Sequence, residues 1–198
     1  MKLITAAALL AAGVLQVSGA NIQYATDLNG LIEVPVNLSP GNGSSFVIVD
    51  TVAHTLEVRA DFEGLLGLTT AAHIHIVLPG FIPPIEARTG GVATQTPTFV
   101  GFPLGVTSGE YARTFDLPAA STYNPAFLNN AVNLGNTATA EATLVEALAD
   151  GRAYLNIHTT FAPGGEIRGF FAPIPEPGTW ALMVVGGVAL AIRRRFAH

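Results

Sequence analysis

The chain contains no cysteine, which removes both a disulfide framework and any thiolate metal site. A secreted domain of this length does not need disulfides, so the compartment stays open. Charge is scarce as well: 12% of the 198 residues are Asp, Glu, Lys or Arg. Residues 21–173 hold five arginines, no lysine and thirteen acidic residues, a net charge of −8. A surface of that sign is repelled by phosphate backbones, which excludes nucleic acid as a partner and leaves room for cations. The chain has no Gly-x-Ser-x-Gly nucleophile motif and no phosphate-binding loop, and so no signature of a hydrolase or nucleotide-binding enzyme. Internal repeats and coiled-coil heptads are missing too.

What is abundant is apolar, 49% of residues, and much of it lies at the two ends. Met1-Lys2 opens with a positive charge, Leu3 to Val17 is an apolar run, and Ser18-Gly19-Ala20 supplies small residues. That order predicts a secretory signal peptide over residues 1–20, cut after Ala20. At the other end, Pro175-Glu176-Pro177 precedes an apolar run from Thr179 to Ile192 and the basic cluster Arg193-Arg194-Arg195. Fourteen helical residues span roughly 21 Å at about 1.5 Å each, short of a hydrocarbon core of about 30 Å. Trp180 on one side and the arginines on the other extend the reach, and the arginines stay cytoplasmic. Residues 174–198 are therefore expected to be a transmembrane sorting segment, with a domain over 21–173 held outside.

Inside that domain the pattern is of strands. Ile22–Leu28, Leu31–Val34, Ser45–Val49, Thr55–Phe62, Thr69–Leu78, Val92–Phe99 and Glu110–Leu117 each carry strand-like runs, several with clean alternation. Asn29-Gly30 marks a turn, and residues 79–91, rich in proline and glycine, must be loop. Two short helices interrupt the pattern. Asn124-Pro125 opens one through about Val132. Ala140, Leu144, Ala147 and Leu148 define another over Thr139–Ala149, stopped by Gly151. The fold class expected is all-β: an antiparallel Greek-key sandwich or barrel, superoxide-dismutase-like or immunoglobulin-like.

The residues with chemistry lie on three of these strands. In Thr69–Leu78, Ala72, Ile74, Ile76 and Leu78 share one face while His73 and His75 share the other. In Arg152–Thr159, Leu155 and Ile157 face one way while Tyr154, Asn156 and His158 face the opposite way. After the Pro163-Gly164-Gly165 turn, Glu166 and Arg168 take the polar face. If the strands are neighbours, His73, His75 and His158 gather on that face. Two residues apart on a strand is roughly 6.5–7 Å, which lets two imidazoles converge on one cation at about 2.0–2.1 Å. Three neutral nitrogens suit copper or zinc, with Glu166 or a water completing the shell. The competing reading makes the histidines a structural hydrogen-bonding network and Glu166–Arg168 a surface ion pair. His54, beside a turn, reads as a solvated polar residue.

These residues also carry resemblances. Ala72-His73-Ile74-His75, Ala153-Tyr154-Leu155-Asn156-Ile157-His158-Thr159 and Pro163-Gly164-Gly165-Glu166-Ile167-Arg168-Gly169 resemble the CHRD (chordin-type) domain. Leu28-Asn29-Gly30-Leu31-Ile32-Glu33-Val34-Pro35 resembles its start, although Val36 stands where the family often has a second proline. The likeness spans roughly Ile22 to Ala172 and implies a secreted β-sandwich module with no settled activity. The tail is similar to the PEP-CTERM sorting signal. That implies a Gram-negative bacterium that makes exopolysaccharide, and tail removal by an exosortase-type enzyme. A His-x-His strand with a later strand histidine is also similar to copper–zinc superoxide dismutase, but the bridging histidine, zinc-loop ligands and cysteine pair of that family are missing. The function expected is an exported binding or structural module of the envelope or extracellular matrix, with a polysaccharide or protein ligand. The alternative is a copper- or zinc-binding protein or oxidoreductase built on the three histidines.

Overall fold

The computed structural model describes residues 21–80 and 85–174, so the signal peptide and the sorting segment expected at the ends lie outside the described residues. In chain order the strands are β1 (Asn21–Asn29), β2 (Asn42–Asp50), β3 (Thr55–Glu63), β4 (Thr69–Ile76), β5 (Gly91–Val92) and β6 (Gly109–Asp116). Helices α1 (Pro125–Leu128) and α2 (Thr137–Ala149) follow, then β7 (Ala153–Thr159), β8 (Ile167–Phe170) and β9 (Ala172–Pro173). One antiparallel sheet runs in the order β5-β4-β7-β8-β1-β2-β3-β6, with β9 continuing along β1. It curls into a half-barrel because residues 93–107 bridge its edges. Ala93, Phe99 and Gly105 donate to the free side of β4, at Ile74, Ala72 and Thr69, before the chain enters β6 on the far edge. The all-β class stands as expected, with the sheet continuous around one core.

Alternation decides what fills that core. Val47 and Val49 on β2, Leu56 and Val58 on β3, Ile74 and Ile76 on β4, and Leu155 and Ile157 on β7 are all buried in one cluster. Helix α2 packs on β7 and β9 with Ala140, Leu144, Ala147 and Leu148 buried, the stripe its spacing predicts. It starts two residues before the expected Thr139 because the Asn136 side chain accepts from the Ala138 and Thr139 amides. It ends where Gly151 takes a φ of 67°, a conformation that glycine adopts without strain.

Four local expectations need correction. Leu31–Val34 is no strand: the Asn29 side chain caps a 3-10 turn over Gly30–Ile32, and Glu33 turns inward. Of the expected 92–99 strand only Val92 pairs regularly, in the two-residue β5 with Gly91. Beyond it the Thr94 and Thr98 hydroxyls accept from the Ile74 and Ala72 amides, so side chains stand where a backbone ladder would be, and Pro97 has no N–H to give. Helix α1 begins at Pro125 as expected but stops at Leu128, short of Val132. Asn129 donates back to the Pro125 carbonyl and Asn130 accepts from the Val132 and Asn133 amides, a local alternative to continued helix. Strand β4 ends at Ile76, and Leu78, expected on the core face, is exposed.

Candidate metal centre

The register of β4 on β7 builds the site. Ala71 faces His158, His73 faces Asn156 and His75 faces Tyr154 across the pair. Period-two alternation therefore puts all three imidazoles on the side opposite Ile74 and Ile157. That side was expected to be a polar face, and it is a covered one: His73 is 7% exposed and His75 8%. The cover comes from the β4–β6 connection and the β7–β8 turn, each of which gives backbone carbonyls to the rings.

Those carbonyls settle the tautomers. His73 Nε2 lies 2.6 Å from the Pro97 carbonyl oxygen, and His75 Nδ1 lies 3.0 Å from that of Gly90. His158 Nδ1 lies 3.0 Å from that of Pro163. A carbonyl oxygen can only accept, so each of these nitrogens carries the proton and donates it. The second nitrogen of each ring is then a bare lone pair: Nδ1 of His73 and Nε2 of His75 and His158. All three are buried and have no hydrogen-bond partner. One ring nitrogen from each histidine lies within 4.8 Å of the others, and the ring centroids are 5.2–5.7 Å apart. Gly90 reaches its histidine because it has no side chain: a Cβ there would stand 2.3 Å from the backbone of Ile76.

Electrostatics keep the rings neutral. Burial pushes His75 down to about 4, against the Gly90 hydrogen bond that favours its charged form. Burial likewise lowers His73 and His158. Neutral imidazoles whose outer N–H groups are pinned to carbonyls present their lone pairs as metal ligands do, with the orientation fixed by the second partner. The donor set, three nitrogens and no thiolate, fits copper or zinc.

Glu166, expected as a fourth ligand, is elsewhere. It precedes β8, where its amide donates to the Ile157 carbonyl although Ile157 pairs with Ile167, and this irregularity breaks the alternation that would aim it at His158. Its carboxylate accepts from Ser39 Oγ at 2.5 Å, Thr159 Oγ1 at 2.6 Å, the Leu66 amide at 2.6 Å and the Gly67 amide at 3.1 Å. Burial alone would raise its pKa, but these four donors hold the carboxyl below the ordinary range. Glu166 is a clasp between two loops and the β7–β8 hairpin. Nor does it form a surface ion pair with Arg168, for both residues are fully buried.

Arg168 belongs to a second buried layer that the sequence reading missed. Its guanidinium donates to the carbonyls of Ile32, Glu86 and Arg88 and lies over the rings of Tyr154 and Phe170. Tyr154 in turn stacks on His75, centroids 5.0 Å apart. Glu33, 3.8 Å from Arg168, is buried with one oxygen unpartnered, and burial raises it to about 7 despite that cation. The one available signal was parity, which put Tyr154, Asn156 and Arg168 on the histidine face. His54 is exposed as expected, though its Nδ1 lies 2.8 Å from Glu141 of α2. Pro175, Glu176, Pro177 and Arg193, Arg194, Arg195 lie outside the described residues.

Two family models match the chain: the CHRD domain over residues 24–171 and the PEP-CTERM protein-sorting motif over residues 173–195. The sorting motif marks the chain for export to the envelope of a Gram-negative bacterium and for processing by an exosortase. No curated protein and no solved structure matches.

Proposed function

We propose that this chain, which belongs to the CHRD domain family, is an exported metal-binding protein that holds a single copper or zinc ion on His73, His75 and His158. The observation that carries the reading is the set of three buried imidazole lone pairs, each without a partner and each on a ring whose other nitrogen is tied to a carbonyl. Buried polar atoms in folded proteins are nearly always satisfied, and leaving one unpaired costs about 1–3 kcal/mol. A purely structural network has no reason to leave three converging. A metal ion satisfies all three at once. Glu33, Arg168 and Tyr154 would act behind the ligands, holding His75 in place through the stack.

A second reading concerns the outer surface. Leu31, Val34, Val36 and Leu38 are exposed along one short segment. That apolar run favours adhesion to an extracellular polysaccharide or protein, and it is compatible with a metal centre elsewhere on the domain. Before processing, the C-terminal segment would tether the domain to the membrane.

Titration of the purified exported protein with copper and with zinc, followed by thermal melting, tests the metal reading. One equivalent should raise the melting temperature of the natural protein. His75→Ala and His158→Ala should abolish that rise, and His54→Ala should leave it intact. Equal behaviour of all three variants would reject the site.

A further inference from the structure

We infer that the three-histidine centre is a cuprous site, built to hold Cu(I) in three-coordinate geometry in preference to zinc(II) or copper(II). This inference rests on the metal-centre reading and sharpens it in three steps.

The first concerns coordination number. Zinc on three histidines takes a fourth ligand, usually water, to reach its tetrahedral shell. Among the described residues no carboxylate joins the three histidines, because Glu166 is committed to Ser39, Leu66, Gly67 and Thr159. The three lone-pair nitrogens are themselves shut from solvent beneath the loops that carry Pro97, Gly90 and Pro163. A site with three neutral nitrogens, no carboxylate and closed walls favours a trigonal shell. Three-coordination by neutral nitrogen is a stable geometry for the closed-shell cuprous ion, which gains nothing from ligand-field splitting.

The second concerns charge. The free energy of placing an ion in a low-dielectric interior grows with the square of its charge, so a dication is far costlier here than a monocation. The ligands are neutral and offer no compensation. The fixed charge behind them is positive: buried Arg168 sits 5.0 Å from the Tyr154 ring, and that ring stacks on His75. Glu33 lies 3.8 Å from Arg168 and is not among the ligands.

The third concerns rigidity. Each imidazole is pinned by a hydrogen bond to a loop carbonyl, and His75 is also clamped by Tyr154, whose hydroxyl accepts from the Gly90 amide. The two strands and three carbonyls resist the expansion to four or five ligands that oxidation to copper(II) demands.

The test uses the exported protein stripped by a chelator. It is offered Cu(I) under nitrogen with ascorbate as reductant, and copper(II) and zinc(II) in parallel arms, each against a competing chelator. The expected result is one Cu(I) per chain, silent in electron paramagnetic resonance, kept in air and against excess zinc. Zinc should bind at least about a hundredfold more weakly. Zinc held as tightly as Cu(I), or a full copper(II) signal after exposure to air, overturns the cuprous inference and leaves the metal centre standing. No stoichiometric metal in any arm, with a circular dichroism spectrum of folded β protein, overturns both. His158→Gln should release the cuprous ion; retention by that variant places the metal elsewhere and also overturns the inference.

Discussion

Strands β4 and β7 are buried on both faces, and the two faces are buried for opposite reasons. On the inner face Ile74, Ile76, Leu155 and Ile157 pack against one another and α2, and nothing there needs a partner. On the outer face His73, His75 and His158 are covered by loops, and each leaves one nitrogen unsatisfied. Burial of the first kind is the source of stability; burial of the second kind costs stability until something binds. The difference teaches where function sits in this domain. The same pleat that seals the core holds three lone pairs at a fixed spacing on its back.

Substitutions on the two faces should diverge. Ile157→Ala removes a fully buried side chain and should cost about 2–5 kcal/mol in denaturant unfolding, whether or not metal is present. A loss near zero would mean that the inner face is not the core. Next in size, Glu166→Ala should cost about 2–4 kcal/mol, because it strands the Ser39 and Thr159 hydroxyls and the Leu66 and Gly67 amides. It should leave metal stoichiometry unchanged, which would separate the clasp from the centre; loss of metal in a folded Glu166→Ala protein would return it to the ligand shell.

The outer face should respond to pH in a stated sense. The three histidines are held below their ordinary value, so the unfolded chain binds protons that the native chain does not. Their contribution is complete above about 6.5, the unfolded value, and is lost as pH falls from there toward about 4, where His75 titrates. Glu33 acts oppositely: raised to about 7, it makes the native state the better proton binder, so stability declines as pH rises from about 4.3 to about 7. Glu33→Gln should therefore stabilise the protein at pH 8 by about 1–3 kcal/mol and flatten that decline. An unchanged profile would mean that Glu33 keeps its charge through Arg168. Smallest of all, His158→Ala should change the stability of the metal-free protein by less than about 1 kcal/mol, since an orphaned polar atom is lost along with the packing of a ring. A loss as large as that of Ile157→Ala would make the histidine face structural.

Much of this arrangement was legible in the residues. Alternation in Thr69–Ile76 and Ala153–Thr159 told the inner face from the outer; that the two strands are neighbours was a condition, which the pairing of His73 with Asn156 meets. Asn124-Pro125 and Gly151 marked helix ends that capping chemistry made readable. What alternation could not reach were the places where it fails. Glu166 and Ile167 both stand opposite Ile157, which turns Glu166 off the histidine face, a backbone irregularity with no side-chain signature. The cover over the histidines comes from irregular loops, whose carbonyl positions follow from tertiary contacts rather than from local periodicity. Arg168 looked like a surface charge because nothing in its own strand indicates that Ile32, Glu86 and Arg88 will bring their carbonyls to it.

The most direct measurement is the metal content of the exported protein, purified from its own cells without added metal or affinity histidines, beside His75→Ala purified the same way. The account predicts close to one copper or zinc per natural chain and almost none in the variant. Equal metal in both, or none in the natural protein while it remains folded, would contradict it.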